Sequence, residues 1–120
     1  MREAWNTEQV WQRWLDEDYE NHPRPQQNVD AIANITFLTP ENGGRVRSLR
    51  SDYRGQFFYE GHDWDARYTF ASEPVEPGQT VEAIIQFLSP EAHIRRIHIG
   101  MAFILKEGSQ IVGNGVITWI

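Results

Sequence analysis

The chain has 120 residues, no cysteine and a formal net charge of −6, from 11 basic and 17 acidic side chains. Without cysteine it has no disulfide framework, no thiolate zinc site and no thiol nucleophile, and we expect a cytoplasmic location. The acidic balance disfavours unspecific binding to nucleic acid, which depends on neutralising phosphates. No apolar run is long enough for a membrane-crossing helix, so we expect no membrane partner.

The first predicted element is an amphipathic α-helix within residues 1–28. Asn6 is a favourable N-cap for it. Four apolar residues then recur at helical spacing: Val10, Trp11, Trp14 and Leu15. Two prolines in residues 22–28 end the helix and predict an extended linker.

The tryptophans of this helix leave two interpretations open. Trp5, Trp11 and Trp14 are candidates for docking, because tryptophan is enriched at binding hot spots. In one interpretation the helix folds back and covers a flank of the following domain, which avoids an exposed apolar patch. In the other, the tryptophans enter a partner's groove and the acidic residues surround them.

From Val29 onward the apolar period changes to two, as in β-strands. Six strands are predicted, at residues 29–38, 55–60, 66–70, 80–88, 97–105 and 111–120. Pro77 and Gly78 stand at the central positions of a type II turn, and the sequence GHDWD at 61–65 is predicted to be a loop. Six strands, short turns and no second helix indicate an antiparallel barrel or sandwich over residues 29–120.

Four motifs follow one another through this strand region. They are YRGQFFY at 53–59, EPGQTV at 76–81, QFLSP at 86–90 and GMAFILKEGSQIVGNGVI at 100–117. In this order and spacing they resemble the C-terminal β-barrel, the third domain, of translation elongation factor Tu. The resemblance implies a mainly β fold, a six-stranded antiparallel closed β-barrel preceded by one N-terminal α-helix. Gly113 and Gly115 would then allow sharp coiling and close approach of a neighbouring backbone.

The resemblance also implies a binding surface. In elongation factor Tu this domain contacts the T-stem backbone of aminoacyl-tRNA. Five residues of this chain fall on matching contact positions: Arg45, Arg54, Gln56, Glu107 and Gly108. At three other positions Val46 replaces a histidine, Asp65 a threonine and Ser89 a residue that is usually lysine. Each departure removes a donor or cation from a face that meets phosphates, so support for tRNA binding is weak.

The arginines around this surface have two further interpretations. Arg45, Arg47, Arg50 and Arg54 form a local basic cluster in an acidic protein. The cluster is either a solvated loop balanced by nearby carboxylates or a patch that contacts an anion or a protein. We expect Arg45 and Arg54 to be tied into the polar contacts of the barrel itself.

No motif for chemistry accompanies these residues. The single lysine, Lys106, is not part of a Gly-Lys-Ser/Thr signature, so no nucleotide is implied. His62, Asp63 and Asp65 match no standard metal spacing, and no catalytic constellation is predicted. The sequence therefore predicts a non-enzymatic module without cofactor or metal that binds a protein partner. An alternative of a different class is a small acidic immunity-type inhibitor of a toxin domain.

Overall fold

The computed structural model describes residues 29–120, which form a closed barrel of six antiparallel strands. The strands are β1 (Ala31–Phe37), β2 (Gln56–Tyr59), β3 (His62–Phe70), β4 (Thr80–Phe87), β5 (Ala102–Glu107) and β6 (Gln110–Trp119). Around the barrel their order is β1-β4-β3-β2-β5-β6, and β6 pairs with β1 to close it. The predicted mainly β, six-stranded closed barrel is confirmed. The predicted N-terminal helix, with Trp5, Trp11 and Trp14, lies outside the described residues.

Strict alternation of side chains builds the interior. Four β1 residues point inward and are at most 2% exposed: Ala31, Ala33, Ile35 and Phe37. At the centre, the ring of Phe57 stacks on Phe103 at a centroid distance of 4.1 Å and meets Phe87 edge-on at 5.0 Å. Aromatic pairs of this kind stabilise a core beyond the area that they bury. The small alanines of β1 belong to the same buried cluster as these rings, so the interior is filled by side chains.

The hairpin between β2 and β3 is longer than the sequence predicts. Only Glu60 and Gly61 form the turn, with φ of +50° and +79°. Residues 62–65, predicted as loop, belong to β3, and Asp65 pairs with Gln56 of β2. The loop prediction was wrong because Trp64 is the single apolar residue among three exposed polar ones, so this part of the hairpin carries no apolar alternation. A two-residue turn with positive φ matches the twist of the paired strands and lets them continue to the tip.

The strand predicted over residues 97–105 begins only at Ala102, where β5 starts. Gly100 has φ of +90°, and the amide of Met101 donates to the carbonyl of His98 at 3.1 Å. This turn interrupts the strand, and Ile99 is 40% exposed although the alternation places it in the core. The prediction for residues 97–101 was therefore wrong. The apolar alternation was misleading because a left-handed glycine determines the backbone there.

Gly113 and Gly115 lie in β6 between β1 and β5. A β-carbon on Gly113 would lie 2.9 Å from the carbonyl oxygen of Thr36. A β-carbon on Gly115 would collide with the ring of Phe103, at Cζ and, at 2.7 Å, at Cε1. Gly113 thus permits the close backbone approach that the sequence predicts, whereas Gly115 makes room for an aromatic side chain. Together they allow the last strand to close the barrel.

We expect Gly115→Ala to lower the free energy of unfolding by about 1–3 kcal/mol, because the added methyl group overpacks the site against Phe103. Asn114→Ala, at the exposed neighbouring position, is the matched control and should cost no more than about 0.5 kcal/mol. Denaturant titration measures both. In a Phe103→Leu background the alanine should cost less than in the wild type. Equal losses for Gly115→Ala and Asn114→Ala would show that close packing at Gly115 is not the constraint.

Candidate functional site

Two of the predicted contact residues meet in a partly buried cluster, which we call the Glu107 cluster: Arg45, Tyr53 and Glu107. Glu107 ends β5, Tyr53 precedes β2, and Arg45 lies in the connection between β1 and β2. The Glu107 Oε2 atom accepts a hydrogen bond from the Tyr53 hydroxyl at 2.6 Å and forms an ion pair with Arg45 Nη1. The Arg45 guanidinium also lies over the Tyr53 ring, with Cζ 5.7 Å from the centroid. The cation and the carboxylate of this cluster therefore neutralise each other.

Burial and the Glu107 carboxylate raise the pKa of Tyr53 well above its ordinary value. Burial acts first, because the phenolate would lose its hydration. The Glu107 carboxylate acts in the same direction, since it accepts the phenolic proton as a hydrogen bond and would repel a phenolate. Tyr53 is thus a fixed hydrogen-bond donor, and the cluster is a structural contact that joins the β1–β2 connection to the end of β5.

A surface groove of about 340 Å³ lies beside β3 and the end of β4, and we call it the β3–β4 groove. The residues that line it are Arg54, Asp65, Ala66, Arg67, Gln86, Phe87 and Leu88. Leu88 is 75% exposed and contributes apolar surface to the groove. Arg54 is exposed and, within residues 29–120, makes no hydrogen bond or ion pair. The groove thus offers one apolar side chain beside charges of both signs.

The other cations near the groove face carboxylates. Arg67 Nε lies 2.9 Å from Asp52 Oδ1, and Lys106 Nζ lies 3.2 Å from Asp63 Oδ1. Gln56, a predicted contact residue, donates from Nε2 to Asp65 Oδ1 at 3.1 Å. These pairs are exposed or half-exposed, so each contributes little to stability. Because each of these cations lies beside a carboxylate, the pairs add almost no net charge to this surface.

The structure places the five predicted contact residues on one region of the barrel but in different settings. Arg45 and Glu107 are joined in the Glu107 cluster, and Gly108 follows at the tip of the β5–β6 hairpin with φ of +60°. Gln56 pairs with Lys106 across β2 and β5, so the cluster and the groove are adjacent. Arg45 is tied into the barrel's own contacts, as predicted, whereas Arg54 is not.

Sequence reasoning missed Tyr53, Arg67 and Leu88 as members of this region. Tyr53 and Leu88 are part of the motifs YRGQFFY and QFLSP. The role of Tyr53 depends on Glu107, which is 54 positions away in the chain, and the exposure of Leu88 depends on where β4 ends. No local pattern reports such contacts. For Leu88 the available signal was its place directly after Phe87, which points inward.

A second polar feature, also missed, is a histidine that packs against residues of β2, β3 and β4. His93 is 1% exposed, and its ring stacks on Phe87 at 4.0 Å and meets Trp64 edge-on at 4.6 Å. Its Nδ1 shares a hydrogen bond of 2.6 Å with the Tyr59 hydroxyl, while Nε2 is buried and has no hydrogen-bond partner among residues 29–120. Loss of hydration on burial lowers the pKa of His93, and the positive charge of Arg96 lowers it further. His93 is therefore a neutral core residue.

Comparison of the chain with models of protein families finds no match. Among residues 29–120, no group of three or more His, Cys, Asp or Glu residues is arranged to hold a metal ion. In that same part of the chain, no helix combines the length and apolar character that crossing a membrane requires. A proposal for the function of this chain therefore rests on the geometry around the β3–β4 groove.

We expect Arg45→Ala to lower the free energy of unfolding by about 1–3 kcal/mol, because it leaves the half-buried Glu107 carboxylate without its ion pair. Arg47→Ala is the matched control: Arg47 is exposed and belongs to the same basic cluster. It should change the stability by less than about 0.5 kcal/mol. Denaturant titration of the two variants compares them directly. If both variants keep wild-type stability, Arg45 has no structural role.

The stability of the fold should fall as pH decreases through the ordinary pKa of histidine. Below about pH 6.5 an unfolded chain protonates position 93 while the folded chain keeps His93 neutral. The unfolded state then binds more protons, so acid favours it, and the full stability is present only above that pH. We expect His93→Gln to reduce this dependence between about pH 7.5 and 5.5, whereas the exposed His62→Gln should keep it. Unfolding curves across that range measure the slope, and an unchanged slope in His93→Gln would contradict a buried neutral histidine.

Proposed function

We propose that this chain is a non-enzymatic, cytoplasmic binding module that resembles the third domain of elongation factor Tu and binds a protein partner at the β3–β4 groove. The resemblance is supported by a closed six-stranded barrel in which the matching motifs supply β2, β4, β5 and β6. The glycines of the last motif lie where β6 needs close packing.

A protein partner is favoured over tRNA by one observation: three cations of this surface are already paired with carboxylates, which leaves Arg54 as the unpaired cation of the groove within residues 29–120. Arg45 faces Glu107, Arg67 faces Asp52 and Lys106 faces Asp63. Affinity for a phosphate backbone accumulates from cations that are free to replace counterions. Asp65 adds a negative charge inside the groove, beside Arg54. A surface with paired charges is a poor match for RNA.

The groove has features that protein interfaces use. Leu88 is an exposed apolar anchor, and Arg54 is an arginine without an ion pair within residues 29–120. Arginine is enriched at interface hot spots, and an apolar contact surrounded by polar groups is their usual setting. Asp65 adds a negative charge to the groove beside the positive charge of Arg54. This pattern favours a partner that carries charges of both signs over a uniformly anionic partner.

Affinity capture from the native cell identifies the partner, and isothermal titration with that purified protein then tests the site. We expect Leu88→Ser and Arg54→Ala each to weaken binding by at least about tenfold, as for interface anchors. Val46→Ser is the matched control, since Val46 is 80% exposed but does not line the groove. It should bind as the wild type does.

The alternatives give different results in the same experiments. Aminoacyl-tRNA titrated at low salt should give a flat curve, and saturable binding that Arg54→Ala weakens would replace the protein partner by tRNA. A captured toxin domain that loses activity on binding would identify the immunity-type inhibitor. Equal affinity for Leu88→Ser, Arg54→Ala and Val46→Ser would show that the partner binds elsewhere.

A further inference from the structure

A cavity of about 320 Å³ lies beside the end of β4 and the loop that follows it, and we call it the His93 cavity. Its lining is mainly apolar and includes Val29, Ile94, Ile97 and Ile120. Two polar side chains, those of Asp30 and His93, belong to the same lining. Apolar walls with a small number of polar groups are the usual construction of a small-molecule site.

The imidazole ring of His93 is held in one orientation by its neighbours. The hydrogen bond with Tyr59 fixes Nδ1, and the rings of Phe87 and Trp64 pack against the imidazole. Turning the ring over to give Nε2 a different neighbour would break the bond to Tyr59. Among residues 29–120 the buried Nε2 has no hydrogen-bond partner, which is costly for a buried polar atom. This nitrogen is therefore available to a polar group that enters the cavity.

We propose that the His93 cavity binds a small, uncharged and mainly apolar ligand that carries one hydroxyl group, and that His93 Nε2 is the hydrogen-bond partner of this hydroxyl. A hydroxyl both donates and accepts, so it can bond Nε2 whichever nitrogen of the neutral ring carries the proton. The apolar walls bind the body of the ligand, and the single hydrogen bond sets its orientation. Because the ring of His93 is already fixed, little freedom is lost when the bond forms.

Volume and charge narrow the class of ligand. An apolar cavity of about 150 Å³ is sufficient for benzene, and the His93 cavity has about twice that volume, which suits a ligand of two fused rings. The Asp30 carboxylate accepts a hydrogen bond at Oδ2 from the Phe87 amide at 2.8 Å and places a negative charge in the lining. Repulsion between like charges therefore disfavours a ligand that carries a carboxylate.

The His93 cavity is distinct from the site proposed for the protein partner. Its lining shares only Phe87 with the β3–β4 groove. Ile94, one of its lining residues, is 76% exposed, so the lining reaches the surface. The inference does not depend on the proposed function, because a ligand can bind in this cavity whatever the groove binds.

Titration of the full chain with β-naphthol, followed by NMR, tests the site. We expect saturable shifts of the His93 imidazole nitrogens and of the methyl signals of Ile94 and Ile97. The methyl signals of Ile111, which is exposed and does not line the cavity, should not shift. Naphthalene, which lacks the hydroxyl, should bind at least about fivefold more weakly than β-naphthol, because Nε2 then stays without a partner. β-Naphthoate should also bind more weakly than β-naphthol, and Asp30→Asn should reduce that difference.

A substitution of the histidine tests its role. His93→Phe keeps an aromatic ring at this position but removes both nitrogens, so β-naphthol and naphthalene should bind this variant equally well. His62→Phe is the matched control, since His62 is exposed and does not line the cavity. It should keep the preference of the wild type for β-naphthol.

Three results in the wild-type chain overturn the proposal. They are the absence of saturable shifts at the cavity residues, equal affinity for β-naphthol and naphthalene, and shifts of Ile111 that follow those of Ile94 and Ile97. These results decide the matter even if His93→Phe does not fold. In a folded His93→Phe variant, an undiminished preference for β-naphthol would assign the hydroxyl to another group and would also overturn the proposal.

Discussion

The pairing of β6 with β1 is the interaction on which the rest of this structure depends. It converts a twisted sheet into a barrel without free edges, so every strand has a partner on both sides. The pairing requires the chain to pass close to Thr36 on one side and to the ring of Phe103 on the other. Gly113 and Gly115 allow both close approaches because they have no side chain, and the other core side chains then pack around Phe57.

Closure also creates the surfaces that the proposals concern. It brings Glu107 at the end of β5 to Arg45 and Tyr53, which are 62 and 54 positions away in the chain. The same closure sets β4 between β1 and β3, so the end of β4, at Gln86 and Phe87, meets β3 at the groove.

Local patterns in the sequence were sufficient to predict an antiparallel β domain but left a barrel and a sandwich open, and the family resemblance supplied the closed barrel. The period-two alternation located all six strands, and the turn at Pro77 and Gly78 forms as predicted, with Gly78 at φ of +91° and the Gln79 amide donating to Glu76. Two boundaries were wrong, since strand ends depend on backbone geometry that apolar alternation does not encode. Residues 62–65 belong to β3 although only Trp64 among them is apolar, and Gly100 turns the chain inside an apolar run.

The chemistry of the candidate site was less predictable. The motifs identified Arg45, Arg54 and Glu107, but whether an arginine is free depends on which carboxylate reaches it across the barrel. Arg45 is paired and Arg54 is not, within residues 29–120, and nothing local distinguishes them. The burial of His93 could not be predicted for the same reason, because its partners Tyr59 and Phe87 come from β2 and β4.

Native-state hydrogen exchange of the amides in β1 and β6 tests barrel closure most directly. If the β1–β6 ladder closes the barrel, these amides should exchange as slowly as those of β3 and β4, because all then open only with global unfolding. Exchange of the β1 and β6 amides much faster than the rest, through a local opening, would show an open sheet and contradict the account.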